Sequence, residues 1–423
     1  MSFQDDTSLL TDLFNAAVAA ADPERALAAH LPPKPKGRTI VIGAGKGAAQ
    51  MAAAFEGLWQ APVSGLIVTR YGYGTPCPTL PVVEAAHPVP DQAGAEAAAQ
   101  LMGLVQDLSA DDLVVALICG GGSALLPAPP EGLTLADEAA LNQALLASGA
   151  PISVMNAIRG QVSRIKAGRL AALAHPAQVV TLVVSDVPGD DPGQVASGPT
   201  IASAANRATA LSYIDAYNID LPPKIAAYLA SAPEDAPHPS DPGFARDKVQ
   251  VIASAAQSLE AAAAVAAGFG VPAMILSDAI EGEARDVGQV LAAIAREVRL
   301  KARPFAPPVV LLSGGETTVT LGSASGGRGG RNTECLLSMA LALDGVEGVT
   351  MLAADTDGID GSEDNAGAFA DGTSAARMRE AGLDPAAFLA RHDAWSAFES
   401  IGALFTPGPT GTNVNDFRAV LIR

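Results

Sequence analysis

The sequence is poor in aromatic residues, in cysteine and in positive charge, and each shortage excludes a class of protein. Aromatics make up 4% of the 423 residues. Alanine, valine and leucine must therefore fill the cores, which suits helices laid on parallel sheets. The three cysteines, Cys77, Cys119 and Cys335, are odd in number and widely spaced, fitting neither a disulfide framework nor a zinc cluster. Lys and Arg total 26 against 45 Asp and Glu, a net charge of −19. Such a chain has no electrostatic reason to seek nucleic acid or an anionic membrane. No apolar run reaches the ~18 residues of a membrane helix, and the acidic opening MSFQDD lacks the basic start of a signal peptide. The chain reads as soluble and cytoplasmic. With seven lysines in all, an anionic ligand would have to be held by a few placed cations, and Lys46 and Lys166 stand near glycines.

Against these shortages stand five apolar runs, each ending in a loop of glycine with charged or hydroxyl residues. They are RTIVIGAGKG (38–47), LVVALICGGGSALL (113–126), VVTLVVSDVPGDD (179–191), VVLLSGGETT (309–318) and VTMLAADTDGIDG (349–361). Each reads as a buried strand that stops where backbone amides can meet a ligand. Glycine permits close approach to an anion, and open α/β sheets bind ligands at the carboxyl ends of their strands. Further strands are expected at 64–70, 82–86, 249–253, 272–277 and 418–422, with helices at 7–29, 47–59, 92–107, 135–148, 153–174, 255–268, 283–301 and 334–343. The alternation is that of a doubly wound parallel sheet. A Pro- and Asp-rich stretch at 232–245 is the expected boundary, dividing the chain into α/β domains at 1–240 and 241–423, the second the smaller.

The loops carry the candidate chemistry. GAGKGAA (43–49) meets the loose dinucleotide fingerprint, and Arg70 ends the next strand where an NADP site would place a cation. Lys46 inside that turn is more natural for neutralising a phosphate or carboxylate, although paired glycines also serve packing alone. Gly120, Gly121 and Gly122 free successive amides to cradle an anion, with Ser123 as cap or contact. Asp186, Asp190 and Asp191 cluster at a strand end and suit Mg²⁺, which takes one or two carboxylates plus phosphate oxygens; a solvated acidic turn explains them equally. Gly314, Gly315, Glu316 and Thr317 form another glycine turn, and GGRGGRNTE (326–334) sets Arg328 and Arg331 before a helix. Guanidinium donors fit phosphate oxygens. Of Asp355, Asp357 and Asp360, at least one is expected to orient or deprotonate a hydroxyl or to hold Mg²⁺. Asn413, Asn415 and Asp416 are polar groups before the last strand, equally explained as turn formers, and His87 is a catalytic base or a loop histidine. The spacing supports no Ser-His-Asp arrangement.

Taken in order, GAGK, HPVPD, CGGGSALL, SDVPGDD, ASGPT, SGGETT, GGRNTE, DTDGIDG and TGTNVND resemble the class II glycerate 2-kinases, a family often labelled provisionally as hydroxypyruvate reductases. The resemblance covers nearly the whole chain. In NAIRGQVSRIKAGRLA (156–171), QVS and KAG depart from the family's more basic, glycine-rich version at Lys166 and Arg169. The resemblance implies a Rossmann-like N-terminal domain, a smaller α/β C-terminal domain of MOFRL type, and an active site in the cleft between them. It implies ATP-dependent phosphorylation of D-glycerate at the 2-hydroxyl with Mg²⁺, and catalytic roles for Lys46, Arg331 and Asp357. The loops at 120–123 and 314–317 are then expected to bind nucleotide phosphates, Asp186 and Asp190 the metal, and Arg328, Asn413 and Asp416 the substrate. Oligomeric state stays open, a homodimer among the options. An NADP-dependent hydroxypyruvate reductase is the rival reading, and a metabolite sensor the third.

Overall fold

The computed structural model describes residues 3–231, 235–322 and 327–423. Residues 232–234 of the expected boundary and Gly326 of GGRGGRNTE lie outside the described residues. The chain divides into two compact units, one of residues 23–252 and one of residues 253–423 joined by the first 22 residues.

The first unit is built on a six-stranded sheet. Its strands are β1 (Thr39–Ala44), β2 (Ser64–Arg70), β3 (Val82–Ala85), β4 (Leu113–Ile118), β5 (Gln178–Val184) and β6 (Lys248–Ala253), in the order β3-β2-β1-β4-β5-β6. Pairing is parallel across β3-β2-β1-β4-β5. This is the strand order of dinucleotide-binding folds, which reverses between β1 and β4. The central strands β1 and β4 are buried at every position, the mark of a parallel sheet covered on both faces, and this explains their unbroken apolar sequence. Helices Ala48–Trp59, Gln92–Leu104 and Arg169–Ala174 supply the small apolar residues, such as Ala97, Ala98 and Ala171, that pack the sheet.

The second unit has a mixed sheet. Its strands are β7 (Ala273–Ser277), β8 (Gly282–Glu283), β9 (Val309–Ser313), β10 (Thr317–Thr318), β11 (Val349–Asp355), β12 (Gly367–Asp371), β13 (Leu404–Phe405) and β14 (Asp416–Ile422). The order is β13-β12-β11-β14-β9-β7, antiparallel throughout except for β7-β9, with β8 and β10 forming a separate pair. Helices Ala284–Lys301 and Arg331–Ala342 help to cover one face.

The units differ from the expected 1–240 and 241–423 division at both ends. Helix Phe3–Ala20 packs on the second sheet, its Phe14 ring meeting Phe405 and Phe417 at 5.0 and 5.8 Å. β6, expected in the second domain, instead extends the first sheet. The helix expected over 153–174 is broken: Ile152–Gln161 and Arg169–Ala174 flank a turn in which Ala167 and Gly168 take positive φ of 53° and 81°.

Candidate functional site

In the first unit, five adjacent parallel strands end on one edge, and the residues at those ends form a row. His87 follows β3, Arg70 ends β2, Lys46 follows β1, Gly120–Ser123 follow β4, and Asp186 follows β5. The row straddles the β1/β4 reversal, the place where open α/β sheets bind ligands.

The GAGK and CGGG loops are joined atom to atom. The Lys46 amide donates to the Gly120 carbonyl at 2.8 Å, and the Gly47 amide donates to Cys119 Sγ at 3.1 Å. Thr69 Oγ1 donates to the Lys46 carbonyl at 3.1 Å. Gly45, at φ +136°, has to be glycine, because a Cβ there would fall 2.4 Å from both the carbonyl oxygen and Sγ of Cys119. Burial pushes the Cys119 thiol up to about 12, so it serves as packing, not as a nucleophile. Among the described residues, the amides of Gly120–Ser123 donate to no backbone carbonyl, which leaves them able to meet an anion. A Cβ on Gly121 would lie 3.2 Å from both Lys46 Cγ and His87 Nε2. Burial, then Lys46 and then Arg70 hold His87 down to about 4, so its imidazole is neutral near pH 7. The Ser123 hydroxyl shares a 2.8 Å hydrogen bond with Ser197 Oγ, which in turn donates to Asn156.

The carboxylates after β5 have separate places. Asp186 lies against the Gly120 backbone, where a Cβ would fall 1.7 Å from its Oδ2. Asp191 closes its own turn by accepting from the Gly193 amide and Gln194 Nε2, while Asp190 is half-buried at a positive φ of 52°. Among the described residues no three His, Cys, Asp or Glu side chains are grouped as a metal site. The expected cluster of Asp186, Asp190 and Asp191 is therefore not assembled as a group of three. Lys166 is removed from candidacy: it is buried, with Nζ 2.5 Å from Glu138 Oε1, whose partner oxygen accepts the Ala128 amide.

In the second unit the organising residue is Arg331, the first residue of helix Arg331–Ala342. Its Nε donates to Asp416 Oδ1 at 2.6 Å, Nη2 to Asp355 Oδ2 at 2.7 Å, and Nη1 to Glu316 Oε1 at 3.1 Å. Burial alone would lower its pKa, but Asp416, Asp355 and Glu316 reverse that and hold it above the usual arginine value. Asp360 fixes the helix start. Its Oδ1 accepts the Asn332 amide at 2.9 Å, and its Oδ2 accepts the amide and hydroxyl of Thr333 at 2.8 and 2.7 Å. A cap supplied from a distant loop thus sets the direction in which Arg331 leaves the helix.

This geometry separates the three aspartates of DTDGID. Asp355 is buried and paired to Arg331; burial raises its pKa well above the usual range against the pull of Arg331. Asp360 is the cap. Asp357 is half-buried, its Oδ1 accepting the Ile359 amide at 2.8 Å, and among the described residues its Oδ2 has no partner.

Three expected ligand contacts have other work. Asp416 accepts from Arg331, from Asn332 Nδ2 at 2.9 Å, from the Thr317 amide and hydroxyl at 3.1 and 3.2 Å, and from Arg418. Its carboxylate is filled by protein donors, and through Nε it positions Arg331. Arg328 pairs with Glu363 Oε2 at 2.6 Å and lies 3.5 Å over the Trp395 ring. Asn413 Oδ1 accepts the Asn415 amide at 3.0 Å, closing a turn. The 314–317 loop is also partly spent within the protein. The Gly314 amide donates to Ser277, the Thr317 amide goes to Asp416, and Gly315 (φ +115°) packs where a Cβ would fall 2.2 Å from the Ile280 carbonyl oxygen. Sequence reasoning missed Asp360 as a cap and Asp355 as a brace. The only signal was their spacing from Asp357 in one loop.

Comparison with known proteins follows the same outline. Residues 9–230 match a family described as a domain of unknown function, DUF4147, and residues 309–416 match the MOFRL family. An Agrobacterium vitis protein that carries a provisional hydroxypyruvate reductase name is 51% identical, over 98% of this chain and 94% of its own. The D-glycerate 2-kinase of Thermotoga maritima is 37% identical over 98% of both chains. The crystal structure of a Thermotoga maritima glycerate kinase matches with a TM-score of 0.89 at 35% identity, covering 99% of this chain and 100% of that one.

Proposed function

The chain belongs to the glycerate 2-kinase family that carries the DUF4147 and MOFRL domains, and from that premise we infer that it transfers a phosphoryl group from ATP to the 2-hydroxyl of D-glycerate, giving 2-phosphoglycerate and ADP. The observation that carries the reading is the full-length likeness to a D-glycerate 2-kinase. The chemistry of Arg331 and Asp357 in the second unit, and that of the Lys46 loop in the first, each support it.

Phosphoryl transfer asks for positioning and charge neutralisation more than for covalent chemistry. In this reading Asp357 accepts the proton of the 2-hydroxyl through Oδ2, the oxygen with no protein partner among the described residues. Arg331 and Lys46 neutralise the phosphoryl oxygens. Arg331 can do so at little cost, because Glu316 at its Nη1 is a 49% exposed partner, whereas Asp355 and Asp416 are buried and hold the other two nitrogens. The free amides of Gly120–Ser123 receive phosphate oxygens better than the 314–317 loop, two of whose four amides are spent within the protein.

Carboxylate donors beside a phosphate site suit Mg²⁺. Asp186, lying against the Gly120 amide loop, and Asp190 would hold it alongside phosphate oxygens and water, and the ion would supply charge neutralisation to the phosphates. No described helix is long and apolar enough to cross a membrane. The reductase name of the 51% identical relative supplies the second reading, in which Arg70 would meet an NADP phosphate.

One assay separates them. Purified protein with ATP, Mg²⁺ and D-glycerate should yield a 2-phosphoglycerate signal by phosphorus NMR that disappears on chelation. Lys46→Ala and Arg331→Ala should each abolish it while the circular dichroism stays native. ATP left intact, with NADPH oxidised by hydroxypyruvate, would overturn the kinase reading.

A further inference from the structure

The carboxyl edge of the first sheet holds two groups that the reaction above does not use, Arg70 and His87. Parallel pairing sets Arg70 opposite Ala85, and His87 follows two residues later, while Lys46 follows β1 on the other side of β2. His87 Nε2 and Lys46 Cγ both approach Gly121, each 3.2 Å from the position a Cβ would take there. All three side chains are half-buried. Among the described residues none of the three has a side-chain hydrogen bond or an ion pair; Arg70 has a ring contact alone, 5.1 Å from the Tyr73 centroid. In a chain of net charge −19, two half-buried cations without a carboxylate partner are an anomaly.

The neighbouring acids do not resolve it. Glu84 Oε1 accepts the amides of Gly72 and Gly74, Asp91 is bonded to Tyr71 Oη and the Gly94 amide, and Asp186 sits at Gly120, beyond Lys46 in the row. Partly desolvated cations beside a neutral imidazole and free amides make a receptor without its anion.

We propose that Arg70 and His87 join Lys46 and the Gly120–Ser123 amides in one oxyanion receptor, filled by the carboxylate of the hydroxy acid or by a phosphate of the nucleotide. The proposal rests on the kinase reading for the identity of these two anions, though the receptor itself does not. His87 has a defined part in it. Burial first, then Lys46 and Arg70, hold its proton off in the free protein; an anion set among the three offsets the two repulsions, so binding raises the proton affinity of the imidazole. An NADP phosphate at Arg70 alone would not require His87.

The test reads His87 directly. Long-range ¹H–¹⁵N spectra of the intact protein, with the resonance assigned by its loss in His87→Gln, are recorded against pH with D-glycerate alone and with ATP and Mg²⁺ alone. The anion that occupies the receptor should raise the His87 titration midpoint by about one pH unit or more, an about tenfold gain in proton affinity. A response to D-glycerate assigns the carboxylate, and a response to ATP assigns the phosphate. Arg70→Gln should then raise the KM of that same ligand about tenfold and leave the other near normal. If His87 responds to neither anion, the receptor is overturned. If it responds but no 2-phosphoglycerate forms, the receptor stands and the kinase reading falls.

Discussion

Replacing Asp416 by Asn is the sharpest test of the claim that Arg331 is held in place by buried carboxylates. Asp416 is 2% exposed and gathers Arg331, Arg418, Asn332 and Thr317 on its two oxygens. The opposing guanidiniums of Arg331 and Arg418 hold its pKa below the usual carboxylate value despite burial, so it is charged at neutrality. Asn keeps the shape, removes the charge, and turns an amide N–H toward donors. Removing one partner of a buried ion pair costs about 3–5 kcal/mol, against a total stability of about 5–15 kcal/mol for a typical domain. Loss of the Nε anchor should also let Arg331 shift, and a displacement near 1 Å costs about 10²-fold in rate. Glu316→Gln is the control. It acts on the same guanidinium at 3.1 Å, but its side chain is 49% exposed, and such pairs contribute about 0–1 kcal/mol. Trp395, stacked under Arg328, reports on the second unit once Trp59 is changed to Phe. Urea unfolding followed by Trp395 fluorescence should show a large fall in midpoint for Asp416→Asn and almost none for Glu316→Gln. An Asp416→Asn variant with a native midpoint and a kcat within about twofold of the parent would refute the bracing argument.

Asp357→Asn should lower kcat by about 10²–10⁴-fold with the KM of both substrates near the parent value, as expected of a general base; an equal loss through KM would count against that role. Asp360→Ala strands the Asn332 and Thr333 amides at the start of the Arg331 helix, at about 1–3 kcal/mol for each buried donor, and should lower both the melting temperature and kcat. Lys166→Ala leaves Glu138 buried without its ammonium and should cost about 3–5 kcal/mol in chemical unfolding. Turnover per folded molecule should be unchanged in Lys166→Ala, which would set it apart from Lys46→Ala.

Much of the first unit was legible because its sheet is parallel. Strands such as Leu113–Ile118 are buried on both faces and therefore read as unbroken apolar runs, and the glycines that follow them mark the ligand edge. Strands β12 and β13 of the second unit were not. Gly367–Asp371 is GAFAD, four of its five residues small or acidic, and it becomes a strand only because β11 lies beside it in register. The placement of helix Phe3–Ala20 was hidden for a different reason. Its apolar stripe of Leu10, Leu13 and Phe14 shows that it must bury a face but not which sheet receives it, and the partners Phe405 and Phe417 lie some four hundred residues on. The same limit applied at the site. Arg331 stood out by residue type, yet its braces Asp355 and Asp416 are 24 and 85 residues away, and their acidic loops looked like candidate ligands in their own right.

The surplus of acid around Arg331 has a physical use. A phosphate-binding guanidinium must be aimed before its ligand arrives, and a lone arginine would lose about 2 kcal/mol of rotamer entropy on being fixed. Asp416 and Asp355 meet that cost during folding, since both are buried and bond different nitrogens of the fork. Three carboxylates on one cation would oppose an incoming phosphoryl group if all stayed in place and charged. The exposed Glu316 can be displaced from Nη1, and Asp355, whose proton is already favoured by burial, can take one up. The sign follows from the direction of that shift. A carboxyl with a raised folded pKa favours the folded state at low pH and loses that contribution as pH rises through the folded value. Asp355 should therefore make phosphate binding weaken toward alkaline pH, through KM more than kcat. In Asp355→Asn, which cannot titrate, the KM for ATP should become flat over the pH range where the parent's rises. A parent-like slope in that variant would place the proton elsewhere.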